Sequence, residues 1–286
     1  MRALTAPNYD PLTVYQTCIN GVTDDSLIDR LNNITDEIVF AAKDYEQKAK
    51  AQLLYTIPKN NCKNNEIALG KVTKEELKEV YTSYMVVSSK PARDIYDSLL
   101  SQAHLGKCPY CGFGQTRTLD HYLPKAKYPQ FSVLPFNLVP SCRDCNTGKN
   151  TAIATTAEAQ SLHPYFDHQI FINDQWLYAK VNETKPATIY FFVKAPKQWD
   201  EISKARVQAH FCNFNLSSRY SVEAGDALVS LRDVLISYCQ SFGSKSVRDL
   251  LKIEANSSAK QHSNSWKTAM LQALVVSDWY CDGGFL

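Results

Sequence analysis

Apolar residues recur at three-and-four spacing through residues 24–54, at Leu27, Leu31, Ile34, Ile38, Ala42 and Tyr45. That spacing puts them on one helical face, with Asp24 and Asp25 suited to the first turn. Ile57-Pro58 interrupts the pattern, and the Asn-rich stretch 59–65 reads as a loop. Thr73 to Glu76 has the make-up of a capping box and leads a second stripe through Leu77, Val80, Tyr81 and Tyr84. A third helix is expected from about Pro91, with Ile95 and Leu99 inward, ending at Gly106. From 107 to 151 helical periodicity fails, and short segments dense in Cys, Pro, Gly and Asn replace it. Within 169–180 and 187–194 the β-favouring runs IFI, WLY and TIYFFV, separated by the loop 181–186, predict a hairpin. Helical spacing returns at roughly 200–213, 218–240, 245–255 and 264–279, with breaks expected at 241–243 and across the polar stretch 256–265.

Composition narrows this little: 44% hydrophobic and 21% charged residues over 286 positions are ordinary for one large or two modest globular domains. With 31 Lys+Arg against 29 Asp+Glu, the formal net charge is +2. The whole molecule is no polycation, so any nucleic-acid contact must come from a local patch. The first eighteen residues lack the apolar run of a secretory signal, and no segment approaches a membrane-spanning helix; the expectation is a soluble, cytoplasmic chain with no membrane contact. Nine cysteines, an odd number, four of them in two C-x-x-C pairs, point to metal rather than disulfides in a reducing compartment. Cys18, Cys62, Cys212, Cys239 and Cys281 are scattered and read as ordinary thiols.

The pairs are Cys108/Cys111 and Cys142/Cys145, separated by 30 residues. Each tight turn can offer two thiolates to one side of a tetrahedral Zn²⁺, so together they close a four-sulfur structural site. A single C-x-x-C can be a redox motif, but the second pair, Gly112 after the first turn and the missing strand-helix-strand context favour zinc.

Between the pairs stand Leu119-Asp120-His121-Tyr122-Leu123-Pro124-Lys125 and then Phe136-Asn137-Leu138-Val139-Pro140, running into Cys142-Arg143-Asp144-Cys145-Asn146. In that order they resemble the HNH (ββα-metal) endonuclease pattern. The resemblance implies an α+β, mainly helical chain with a central ββα-metal (HNH, treble-clef-like) core and a structural zinc, flanked by N-terminal helices and a C-terminal hairpin-plus-helices region. The corresponding division is 1–106, 107–160 and 161–286.

Phosphodiester hydrolysis needs a water deprotonated near neutral pH and positive charge on the phosphate. His121 titrates in the right range for a general base, and Asp120 offers a hard carboxylate oxygen suited to Mg²⁺ or Mn²⁺. Adjacent strand residues face opposite ways, so both serve one centre only at a strand end or in a distorted hairpin, as the resembled motif provides. The resemblance implies that Asn137 hydrogen-bonds across the hairpin loop and orients His121. It also makes Asn146 the second protein ligand of the hydrolytic metal. Asn146 stands where the most familiar pattern has His; an amide oxygen is a hard, neutral ligand, and a His-Asn-Asn variant occurs among active enzymes of the superfamily. Lys149, three residues beyond Asn146, joins Lys125 and Arg143 as candidates to meet substrate phosphates. Residues 107–150 carry six basic against two acidic side chains, a local excess of four.

Each residue has a plainer alternative. His121 can be a satisfied structural histidine, Asn137 and Asn146 can cap turns or helices, and the charge excess can be a solvated face. Leu162 to Asp167 reads as an aromatic-rich turn packing on the ββα unit, with His163 as an additional active-site group the alternative. The 28 Tyr and Phe read as core rather than base-stacking platforms. At the level of function the chain is similar to the HNH subunits of anti-phage modules of the Septu and retron type, which implies DNA as substrate and an ABC-type ATPase as partner. An RNA- or tRNA-cleaving enzyme and a non-catalytic, zinc-stabilised binding module are the alternatives.

Overall fold

The computed structural model describes residues 1–148, 153–243 and 245–286. The chain is α+β, about half helical, with three two-stranded antiparallel sheets among the described residues. It divides into two units, Arg2–Asp167 and His168–Leu286.

In the first unit the chain runs through α1 (Pro11–Ile19), α2 (Asp25–Asn32), α3 (Thr35–Lys50), β1 (Ile67–Leu69), β2 (Val72–Thr73), α4 (Lys74–Thr82) and α5 (Arg93–Ser101). Three elements follow, β3 (Thr118–His121), β4 (Leu138–Ser141) and α6 (Arg143–Gly148). The stripe expected over 24–54 lies on two helices rather than one. Asn32 and Asn33, poor helix formers that bond readily to nearby backbone, end α2, and Thr35 restarts the helix. Ile34 at the break is still 1% exposed, so the apolar face is continuous where the backbone is not. The third helix is shorter than its apolar pattern suggests: α5 stops at Ser101, and one 3-10 turn over His104–Gly106 completes the path. Thr73 and Glu76 form the capping box, with the Thr73 N–H donating to Glu76 Oε2 at 2.8 Å. Arg30 of α2 grips the same carboxylate through two bonds of 2.8 and 2.7 Å, and holds its pKa down at about 2.

Val14, Tyr15, Leu31, Leu77, Val80 and Leu99 of the helices, with Ile34 at the break, share one core with Leu119 of β3 and Leu138 of β4. The Cys-rich segment is thus built onto the helical layer. An isolated two-stranded ribbon is marginal in water; burial of Leu119 and Leu138, each roughly 2 kcal/mol, ties this one down.

The second unit contains α7 (Ile170–Asn173), β5 (Leu177–Asn182), β6 (Thr188–Val193), α8 (Glu201–Asn213), α9 (Leu216–Phe242), α10 (Lys245–Gln261) and α11 (Trp266–Val276). The hairpin pairs Leu177 with Val193 through Asn182 with Thr188, and α9 and α11 pack on it. The IFI run is a helical turn, α7, and no part of the hairpin. Trp176 Nε1–H donates to the Phe171 carbonyl at 2.8 Å, and Asn264 Oδ1 accepts from the Trp176 and Leu177 amides, tertiary bonds that override a local β preference. The polar stretch expected to break at 256 stays helical to Gln261, where the Ser258 and Thr268 hydroxyls hydrogen-bond at 2.8 Å. Among the described residues, no helix is long and apolar enough to cross a membrane.

Candidate functional site

β3 and β4 pair in regular register, Thr118 with Ser141, Leu119 with Pro140, Asp120 with Val139 and His121 with Leu138. At about 3.3 Å per residue the two ends of this ribbon stand about 10 Å apart. Different chemistry gathers at each.

At the Thr118/Ser141 end, Cys108, Cys111, Cys142 and Cys145 are buried with their sulfur atoms within 4.8 Å of one another. Four ligands at the usual Zn–S length of about 2.3 Å define a tetrahedron with edges of about 3.8 Å. The Cys111 and Cys142 sulfurs are 3.8 Å apart, so the cluster has the dimensions to hold a metal such as zinc. Backbone amides point in as well: Gly114 N–H to Cys111 Sγ and Cys145 N–H to Cys142 Sγ, both 3.4 Å. Gly112 turns the first pair at φ +79, a left-handed conformation that favours glycine. Gly114 passes so close to the second pair that an added Cβ would lie 2.9 Å from both Cβ and Sγ of Cys142. Thiols this close compete for protons. Hydrogen bonds from Cys108, Cys142 and Cys145 pull the Cys111 thiol far down, while bonding to the cluster pushes Cys145 up. A divalent cation ends that competition by taking all four as thiolates.

At the His121/Leu138 end the groups are oxygen and nitrogen. His121, the last residue of β3, is 8% exposed, and Asp120 is 5% exposed. His121 Nε2 lies 2.8 Å from the Ser132 carbonyl oxygen. A carbonyl can only accept, so the proton is on Nε2 and the lone pair of the neutral ring on Nδ1. The ring meets Tyr81 of α4 edge to face, centroids 4.5 Å apart. Lys125 Nζ sits over the same tyrosine at 4.7 Å, and burial, helped by nearby Lys78, draws its pKa down to about 8. Burial raises Tyr45, Tyr81 and Tyr110, and the negative charge of Asp120 adds to this in all three, so these phenols stay protonated.

Asn137, fully buried, closes the loop that joins the strands. Its Oδ1 accepts from the Leu123 amide at 2.7 Å, and its Nδ2 donates to the Leu123 and Phe131 carbonyls at 3.0 and 3.1 Å. It is a cross-loop clip, not a turn cap, and the Phe131 carbonyl it holds precedes Ser132, the residue bonded to His121. Asn146 is half-buried on α6, which packs on β3, and lies past the first turn, away from a capping position. Arg143 is exposed on α6. Lys149 lies outside the described residues.

The segment Leu162–Asp167 packs on this end of the ribbon. The Tyr165 hydroxyl donates to the Leu138 carbonyl at 2.8 Å, Tyr122 to the Ser161 carbonyl at 2.5 Å, and the Phe166 ring meets Phe136. His163 is 2% exposed, its ring 4.2 Å from that of Tyr122. Three contributors had no signal of their own in the sequence. Tyr45 and Tyr81 lie on helical apolar stripes, where a phenol reads as core, and Ser132 acts through its backbone carbonyl.

Protein ea31 of Escherichia phage lambda is 33% identical to this chain over 298 aligned residues, 99% of this chain and 100% of that protein. No family model matches. No solved structure matches.

Proposed function

The chain belongs to the family of protein ea31 of Escherichia phage lambda, and we propose that it is a metal-dependent endonuclease of the HNH type. The observation that carries this reading is the arrangement of one ribbon and one helix. β3 ends on Asp120 and His121, β4 returns after Asn137, and α6, bearing Asn146, packs back on β3. That is a ββα unit with the four residues in order, closed at its far end by the sulfur cluster.

In this reading His121 is the general base. The Ser132 carbonyl fixes its tautomer and puts the basic lone pair on Nδ1, and the Tyr81 ring edge limits how the imidazole can rotate. Asp120 and Asn146 are the hard oxygen donors that would hold Mg²⁺ or Mn²⁺, and a cation would offset the burial of the Asp120 carboxylate. When bound, that ion would supply positive charge for the phosphate and the departing oxyanion. Lys125, with Arg143 and Lys149, would meet flanking phosphates.

The resemblance alone extends the proposal to DNA as the substrate and to an ABC-type ATPase as the partner in anti-phage defence. Parallel assays on supercoiled plasmid, single-stranded DNA and tRNA, with Mg²⁺ or Mn²⁺, test it. Plasmid nicking is expected; cleavage confined to RNA would remove the DNA assignment, and metal-independent binding without cleavage would leave a binding module. Co-purification with the ATPase encoded nearest to the gene is expected if the defence reading holds, and independent elution would end it.

A further inference from the structure

We propose that His163 is a positioning residue for His121, acting through Tyr45 and Asn137 and thus deepening the hydrolase reading. The case begins with which atoms can donate. Asn137 Oδ1 is identified as oxygen because it receives the Leu123 N–H, while Nδ2 faces two carbonyls. The Tyr45 hydroxyl lies 3.2 Å from this Oδ1 and 3.4 Å from the Phe136 carbonyl. Both neighbours only accept, so the phenol proton points toward Asn137 and the phenol oxygen is left to accept from the other side. On that side stands His163 Nε2, at 3.2 Å. His163 Nδ1 accepts the Tyr165 N–H at 3.2 Å, which places the ring proton on Nε2 by an independent route.

The bonds therefore run one way: Tyr165 N–H to His163, His163 Nε2–H to Tyr45, Tyr45 O–H to Asn137. Asn137 in turn holds the backbone of Leu123 and of Phe131, the residue before Ser132, whose carbonyl orients His121. Every side chain in the chain of bonds is buried, Tyr45 and Asn137 completely, where a misdirected donor costs most. Packing alone does not require this: a phenylalanine at 45 would keep the edge-to-face contact with Phe131, and only the hydroxyl reaches Asn137.

The test uses the full-length chain and three variants. In His163→Gln the amide nitrogen can occupy the place of Nε2. In His163→Asn the amide reaches only the place of Nδ1, so the turn keeps its acceptor and Tyr45 loses its donor. Tyr45→Phe deletes the phenol oxygen. For plasmid nicking, Tyr45→Phe and His163→Asn are expected to lower kcat about tenfold or more with KM unchanged. His163→Gln should restore most of the rate, and the Tyr45→Phe/His163→Asn double variant should be no slower than either single one. An activity-free readout runs beside it: the ¹⁵N signals of the His121 ring should report the Nε2–H tautomer in the parent and a mixture in the two disruptive variants. Unchanged kcat and unchanged His121 signals in folded Tyr45→Phe would overturn the inference, as would equal losses in His163→Gln and His163→Asn. If the parent cleaves nothing, the hydrolase reading fails, and the His121 signals still decide whether His163 positions that ring.

Discussion

One four-residue ribbon ends in two ways. At Thr118/Ser141 it meets four buried sulfur atoms, soft donors at the spacing of a single tetrahedral ion, with no vertex left for a substrate. At His121/Leu138 it meets a buried carboxylate, an imidazole with a defined tautomer and an amide clip, the last two bonded to the backbone of the loop that joins the strands. Both ends restrain the same short strands. The first does so with groups whose chemistry is used up in holding, whereas the second holds with backbone carbonyls and neutral side chains, and brings an imidazole and a carboxylate to one strand end. Breaking the first should therefore cost the fold, and breaking the second should cost a reaction.

Removal of the metal should give the largest effect. Structural zinc contributes on the order of 10 kcal/mol in small sites, comparable to the whole stability of an ordinary domain. Cys142→Ser, or chelation, is expected to melt the Arg2–Asp167 unit, read by loss of dispersed amide signals, and metal analysis of the parent should return one zinc per chain. Next comes His121→Ala, expected to slow cleavage by about 10²–10⁴-fold, roughly 3–5 kcal/mol in the barrier. Its melting temperature should fall by only a few degrees, since the sulfur end that holds the ribbon is untouched. Equal thermal damage from these two changes would erase the contrast between the ends.

Gly114→Ala sharpens the comparison from the sulfur end. A Cβ placed 2.9 Å from Cys142 must move one of the two turns. The expected cost is about 1–3 kcal/mol, read in chemical unfolding, with weaker zinc retention in a chelator competition and unchanged kcat at saturating zinc. The smallest effect lies away from both ends. Glu76 is held near 2 by Arg30, below its usual 4.5. Its contribution is present above about 4.5 and is lost as pH falls toward 2. In Glu76→Gln that acid-side slope should flatten, with about 1 kcal/mol lost at neutral pH once solvent screening of a partly exposed pair is counted.

What could be read from the sequence follows the range of the interactions. The cysteine spacing was legible because a C-x-x-C turn is local, and four ligands in two turns leave few ways to close. The capping box at Thr73 and Glu76 was legible for the same reason. Asn137 had a named role only through resemblance, since its partners, Leu123 and Phe131, are set by the path of a loop that no periodicity describes. Tyr45 and Tyr81 sat on apolar stripes, and nothing local separates a phenol that packs from one whose hydroxyl reaches a distant amide. The IFI run reads as strand from its β-favouring composition, while its backbone carbonyls are held by the nearby Trp176 indole and by Asn264 from far along the chain. The 24–54 stripe concealed a break because its apolar face survives the change of helix at Asn33.

The most direct measurement is metal-dependent nicking of supercoiled plasmid by the parent chain and by His121→Ala, with both proteins shown to be folded at the assay temperature. The account predicts nicking by the parent with Mg²⁺ or Mn²⁺, lost with EDTA and reduced at least about 100-fold in the variant. Nicking that survives His121→Ala undiminished would contradict it.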